Sequence, residues 1–284
     1  MLALGAAAGL VGFCLFYWLV VFAPGEDIRQ PSIDKILAVE SPIMYSGGKD
    51  QIGVFFETAH RQYVAYDRIP RDFINGIVSS EDNKFFEHHG FDLFGVLRAL
   101  VANVRAGRVV QGGSTITQQT AKNLFKRKDR SLLSKLKELL FALRLEYHYP
   151  KEKILEFYAN QFYVSGNGRG FGVAARYYFN KDAADLDLLE CAFIAGSVKR
   201  PNYYNPFIKK GENAKALARL RSKQRVKYVL GQMLKNDLLT SAVYDDVVGR
   251  EVPFEQGKMY FSLTPITDLV KESMDEPDLV NALK

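Results

Sequence analysis

Two apolar patterns divide the chain. From Leu2 to Ala23 there is no charged residue, and at about 1.5 Å of rise per residue such a helical run spans a hydrocarbon core of roughly 30 Å. Further on, apolar residues recur at helical spacing. Phe73, Ile74, Ile77 and Val78 predict a helix over 71–83. Leu93, Val96, Leu97, Leu100, Val101 and Val104 predict another, with Asp92 as N-cap and Gly107 as its end. That helix is so apolar that it belongs either in a core or at a membrane interface. Helices over 115–125 and 131–147 follow; the second carries Leu132, Leu133, Leu136, Leu139, Leu140 and Leu143 on one side and Lys135 with Glu138 on the other. Pro150 ends it, and helices over 152–163, 173–179, 187–197 and 214–233 complete a mainly α series. Strand character is confined to a short strand or hairpin between Gly53 and Tyr66.

The first run is read as a transmembrane anchor over residues 1–23. A cleaved signal peptide would want a basic start and a shorter apolar centre, whereas here Tyr17 and Trp18 sit like interfacial anchors. Flanking charge does not orient it. Pro24, Gly25, Pro31 and Pro42 mark a linker over 24–45, leaving a domain over 46–240 and a tail over 241–284. Cys14 and Cys191 both lie in apolar surroundings and read as structural thiols, and no zinc-type spacing is present. The glycine-rich loop 165–172 follows no predicted strand and lies in no βαβ pattern, so a dinucleotide site is rejected.

Net charge is +6 and is local, because residues 122–153 hold ten basic against four acidic side chains while the rest balances. A charge run alone is usually a solvated helix face. Behind a membrane anchor it points to an anionic headgroup or a lipid-linked diphosphate. The candidate chemistry sits just before it. Glu81 and Asp82 stand beside Phe85 and Phe86, where desolvation can raise a carboxyl pKa toward neutrality. Gly112-Gly113-Ser114-Thr115-Ile116-Thr117-Gln118-Gln119 offers neutral donors and acceptors, with glycines that let backbone N–H groups approach an anion.

Five stretches taken together carry a resemblance. They are Glu81-Asp82-x-x-Phe85-x-x-His88-x-Gly90; Gly113-Ser114-Thr115-Ile116-x-Gln118-Gln119-x-x-Lys122-Asn123; Lys135-x-x-Glu138; Ile154-Leu155-Glu156-x-Tyr158-x-Asn160-Gln161-x-Tyr163; and Glu190-x-Ala192-x-x-Ala195-Gly196 with Pro201, Tyr204, Asn205 and Pro206. In that order, across about residues 60–235, the chain resembles family 51 glycosyltransferases, the peptidoglycan glycosyltransferases of class A penicillin-binding proteins and monofunctional transglycosylases.

The resemblance implies a lysozyme-like, mostly helical domain outside the bacterial inner membrane, anchored by one transmembrane helix. It implies polymerisation of lipid II into β-1,4-linked glycan strands with inversion. Glu81 would be the general base on the acceptor 4-hydroxyl, and undecaprenyl pyrophosphate the leaving group. Glu138 matches the family's second glutamate and would be the second catalytic residue, orienting basic groups or helping to hold a divalent ion near the pyrophosphate. Arg98, Lys122, Arg130 and Lys135 match cations suited to the pyrophosphate, and Asp82, Phe85, His88, Ser114, Thr115, Gln118, Gln119 and Asn123 match substrate-cleft positions. A divalent cation (Mg or Mn) beside the pyrophosphate is implied, with no organic cofactor and no dedicated metal ligands in the protein. Partners would be lipid II, the growing strand, the membrane and other cell-wall synthesis proteins, and no nucleic acid. Ser134 stands where the family usually has Arg, with Arg130 or Lys137 as compensating cations. A glycan-cleaving lysozyme-like enzyme and a silent wall-binding scaffold are the alternatives, and the cationic cluster argues against the first.

Overall fold

The computed structural model describes residues 60–108, 112–125, 131–166 and 168–257, with strand residues 41–44 and 51–55 and seven positions between Val11 and Val20. Of the apolar run Leu2–Ala23, the described positions Val11, Gly12, Cys14, Leu15, Tyr17, Trp18 and Val20 are helical. Among the described residues no helix is long and apolar enough to cross a membrane.

Three helices make the structural heart. α1 (Arg71–Glu81) starts behind Pro70, which has no N–H to lose there, and buries Phe73, Ile74, Ile77 and Val78. After it come α2 (Leu93–Ala106), α3 (Ile116–Leu124), α4 (Leu132–His148), α5 (Lys151–Ala159), α6 (Phe171–Phe179), α7 (Leu188–Ser197), α8 (Pro201–Tyr204), α9 (Glu212–Lys235) and α10 (Ser241–Val247). α7 is buried from Leu189 to Ser197, and a capping box between Asp187 and Glu190 satisfies its first turn. It packs on both α1 and α9. The three come close because small residues meet at the junction: a Cβ on Gly76 would lie 3.2 Å from Ala195 Cβ and 3.3 Å from Val229 Cγ1. A Cβ on Gly196 would lie 2.8 Å from Arg225 Cγ. This gives the Ala195-Gly196 motif a packing reason.

Strands are few. β1 (Ser41–Met44) pairs antiparallel with β2 (Gln51–Phe55), so the expected linker over 24–45 ends in a strand. β3 (His60–Arg61) runs parallel to β5 (Gly168–Arg169), which is antiparallel to β4 (Tyr163–Ser165). The loop predicted at 165–172 is therefore strand in part, and the helix predicted to reach 163 ends at Ala159. Asn160 explains the stop. Its side-chain amide donates to Val64 O and Glu156 O, and its carbonyl accepts Val64 N–H at 2.8 Å, tying the chain just after β3 to the end of α5.

One further expectation is corrected. Asp92 occupies the N-cap position of α2, but its side chain makes no capping bond. On α4 the leucine stripe is covered unevenly: Leu132, Leu133 and Leu136 are exposed and Leu139, Leu140 and Leu143 half-buried, whereas Glu138, Ala142, Arg144 and Leu145 are buried. Periodicity identifies an apolar face and is silent about what covers it. Beyond residue 240, α10 is followed by an extended segment that packs on α6. There Glu255 N–H donates to Tyr178 O at 3.0 Å, and the Phe254 ring meets Phe193 at 4.8 Å. Residues 258–284 of the tail lie outside the described residues. Cys14 is exposed and Cys191 buried, and neither is in a disulfide.

Candidate active site

A cleft of about 300 Å³ opens where α1 ends. Its walls are the last turn of α1 through Asn83, the start of α2 with Asp92 and Arg98, the turn 112–115, and one face of α9 with Tyr228, Gln232 and Lys235. Glu81 is the final residue of α1, and its side chain is only 14% exposed. Arg225 Nη2 donates to its Oε1 at 3.1 Å. Burial pushes the Glu81 pKa up, the Arg225 and Lys199 charges and a hydrogen bond from Gln119 pull it down, and burial prevails. The carboxyl is thereby moved toward the range a general base or acid needs.

Its neighbour Asp82 faces the other way. Asp82 Oδ2 accepts the backbone N–H of Ile116 at 2.9 Å, the first residue of α3, and lies 3.0 Å from His88 Nε2. Thr115 and Gln118 close a capping box on the same helix, and the Thr115 hydroxyl donates to Gly90 O at 2.7 Å. Asp82, His88, Thr115 and Gln118 thus hold the turn that presents Gly113 and Ser114 to the cleft. Asp82 and Thr115 also border that space. Phe85 is 0% exposed, with Lys151 Nζ 4.6 Å from its ring centre, so it packs behind the wall and does not line the cleft.

Across the turn, Lys135 Nζ donates to Ser114 Oγ at 3.1 Å and is bonded to the buried Glu138. The second glutamate thus reaches the cleft through a lysine and a serine. Arg98 lines the cleft directly. Lys122 is exposed and Asn123 half-buried on α3, three and four residues beyond Gln119, and neither lines the cleft. Arg130 lies outside the described residues. Ser134 has a local duty, its N–H donating to the N-cap hydroxyl of Ser131. Sequence reasoning missed Arg225, Tyr228, Gln232 and Lys235. Their spacing of three, four and three residues is one helical face and was the available signal. Lys199, just past α7, was missed as well.

Residues 49–234 match the family model described as transglycosylase. The chain belongs to the transglycosylase family. It is 37% identical over 268 residues to penicillin-binding protein 1A of Aquifex aeolicus (strain VF5), covering 93% of this chain and 36% of that one. Against penicillin-binding protein 1A of Neisseria meningitidis (serogroup B, strain ATCC BAA-335 / MC58) it is 35% identical over 276 residues, 94% of this chain and 33% of the other. The transglycosylase chain therefore spans about a third of the length of these curated relatives. A crystal structure of penicillin-binding protein 1A from Haemophilus influenzae aligns at 20% identity over 83% of this chain and 24% of that one, with a TM-score of 0.44, too low to carry a fold argument.

Among the described residues no three His, Cys, Asp or Glu side chains gather to hold an ion. Glu138 is engaged with Lys135, and Asp82 with Ile116 and His88. The described residues do not form a resident metal site.

Proposed function

We propose that this transglycosylase polymerises lipid II into β-1,4-linked peptidoglycan strands with inversion. Glu81 takes the proton of the acceptor 4-hydroxyl as that oxygen bonds to the donor's anomeric carbon. The bond from that carbon to the phosphate oxygen breaks, undecaprenyl pyrophosphate departs with the electron pair, and Glu81 is left protonated. Cations meet the leaving charge, with Arg98 in the cleft and Lys135 beside Ser114, and the family resemblance adds Lys122 and Arg130 to them. The observation that carries this reading is Glu81 itself, a mostly buried carboxylate with a raised pKa at the rim of a polar cleft flanked by cations.

The apolar surface of α2 supports a lipid-linked substrate. Leu93, Phe94, Leu97, Leu100 and Val104 are exposed in the helix that also supplies Arg98. Such a face suits burial in the outer leaflet of a bacterial inner membrane, with one N-terminal anchor and the lysozyme-like domain on the periplasmic or extracellular side. Glycan strand, membrane and other cell-wall synthesis proteins are its partners in this reading. The divalent ion that the family resemblance implies would take its oxygen ligands mainly from the pyrophosphate, and a chelator titration tests it.

Labelled lipid-linked precursor incubated with the protein and with Glu81→Gln tests the assignment. Loss of polymer in a folded Glu81→Gln variant is expected, at least 100-fold for a missing general base (on the order of 10² to 10⁴). Undiminished polymer removes Glu81 from the mechanism. A raised carboxyl pKa also suits a general acid, which favours glycan cleavage as the second reading. Shortening of preformed strands in the same assay would select it.

A further inference from the structure

The structure assigns Arg225 as the positioning residue of the Glu81 base: it fixes one carboxylate oxygen and supplies the counter-charge that keeps the buried group ionised. This rests on the reading of Glu81 as base. The geometry is built from two sides. Arg225 Nε donates to the carbonyl of Gly196 at 2.9 Å, Nη2 reaches Glu81 at 3.1 Å, and the side chain is 12% exposed. Gly196 makes the passage possible, because a Cβ there would lie 2.8 Å from Arg225 Cγ. Tyr228, one turn on, lays its ring 4.6 Å from the guanidinium and lines the cleft beside it. A planar guanidinium spans the two acceptors at once, which a lysine's point charge cannot do.

Every packed element has a group facing this carboxylate. α9 contributes Arg225, the segment after α7 contributes Lys199, and α3 contributes the neutral Gln119. α5 contributes the buried Tyr158, whose hydroxyl feels Glu81 and Asp82 as negative charge. Asp92, Arg98 and Lys235 look on from the cleft walls. Of these, Arg225 is the cation in hydrogen-bond contact. Removing it leaves burial less opposed, so the Glu81 pKa climbs further and the base is neutralised at a higher pH.

The test is the pH profile of polymerisation for wild type, R225Q, R225K and E81Q, each checked for folding by thermal melting. R225Q is expected to move the acid limb of kcat upward by about one pH unit, a roughly tenfold loss on that limb, with donor KM little changed. R225K should restore part of the limb, since charge returns without the second contact. G196A keeps the charge but displaces the side chain, and should move the limb in the same direction. If E81Q is inactive while the limbs of the Arg225 and Gly196 variants match wild type, the positioning role is overturned and the base assignment stands. If E81Q polymerises normally, both fall. Should R225Q fail to fold, unmoved limbs in R225K and G196A overturn the proposal by themselves.

Discussion

The wall behind Glu81 and the lip in front of it obey opposite rules. Behind lie α1, α7 and α9, where Phe73, Ile77, Phe193, Ala195 and Val229 are all at most 1% exposed and glycines set the helix spacing. In front lie α2 and the first turns of α4, where Phe94 is 75% and Leu132 is 85% exposed. Both regions are apolar. The wall spends its apolar surface on fixing a carboxylate and its arginine, whereas the lip keeps its surface uncovered and available to lipid. Apolar sequence thus serves position in one place and, in the proposed reading, attachment to lipid in the other.

Stability should separate them first. Phe73→Ala, which removes a ring packed 4.2 Å from that of Phe171, should cost about 3–5 kcal/mol in urea unfolding. Phe94→Ala should stay within about 0.5 kcal/mol in the same measurement; an equal loss at both would erase the distinction. Lipid should reverse the ranking. Replacing Phe94, Leu97 and Leu100 by Ser should weaken co-sedimentation with phosphatidylglycerol vesicles at least tenfold, since each buried side chain contributes about 1.5–3 kcal/mol. Unchanged binding would deny the lip its role. At the seam between the two regions, Thr115→Ala removes the α3 capping box and should cost about 1 kcal/mol, read by thermal melting.

The smallest expected effect concerns protons. Folding raises the Glu81 pKa, so its contribution to stability is full below the ordinary carboxylate range and is lost as pH rises through the raised value. Glu156 is opposite. Burial raises its pKa, but hydrogen bonds from Lys153, Tyr63 and the Tyr66 N–H outweigh this and lower it, so its contribution is present at neutral pH and lost as pH falls through the lowered value. Unfolding of Glu81→Gln and Glu156→Gln at pH 4 and pH 7 checks the signs. Relative to wild type, the first should be the better at pH 7 and the second the worse, and the same sign for both would break the contrast.

The helices were legible because the 3.6-residue period survives in single sequence, and α1, α3, α7 and α9 lie close to where it places them. The 163–169 strands were not, being two and three residues long, with β5 paired to β3 some hundred positions earlier. Within the site, Glu81 stood out from its aromatic neighbours, and Lys135 from its spacing to Glu138. Asp82 looked like half of a carboxylate pair. Its actual partner is an amide 34 residues on, a contact no local pattern announces. The cleft face of α9 was hidden for another reason: on a helix this rich in charge, Arg225 and Lys235 look like ordinary solvated positions until the fold turns that face inward.

The separation of Glu81 from Arg225, 144 positions in sequence, has a consequence for biogenesis. Chains are made from the N-terminus at about 5–20 residues per second, so the carboxylate is synthesised roughly ten seconds before its counter-ion. During that interval the nascent polypeptide has the residue but no partner to orient it. In the proposed mechanism, catalytic competence then arises at the end of domain synthesis, and a product released before α9 would lack it.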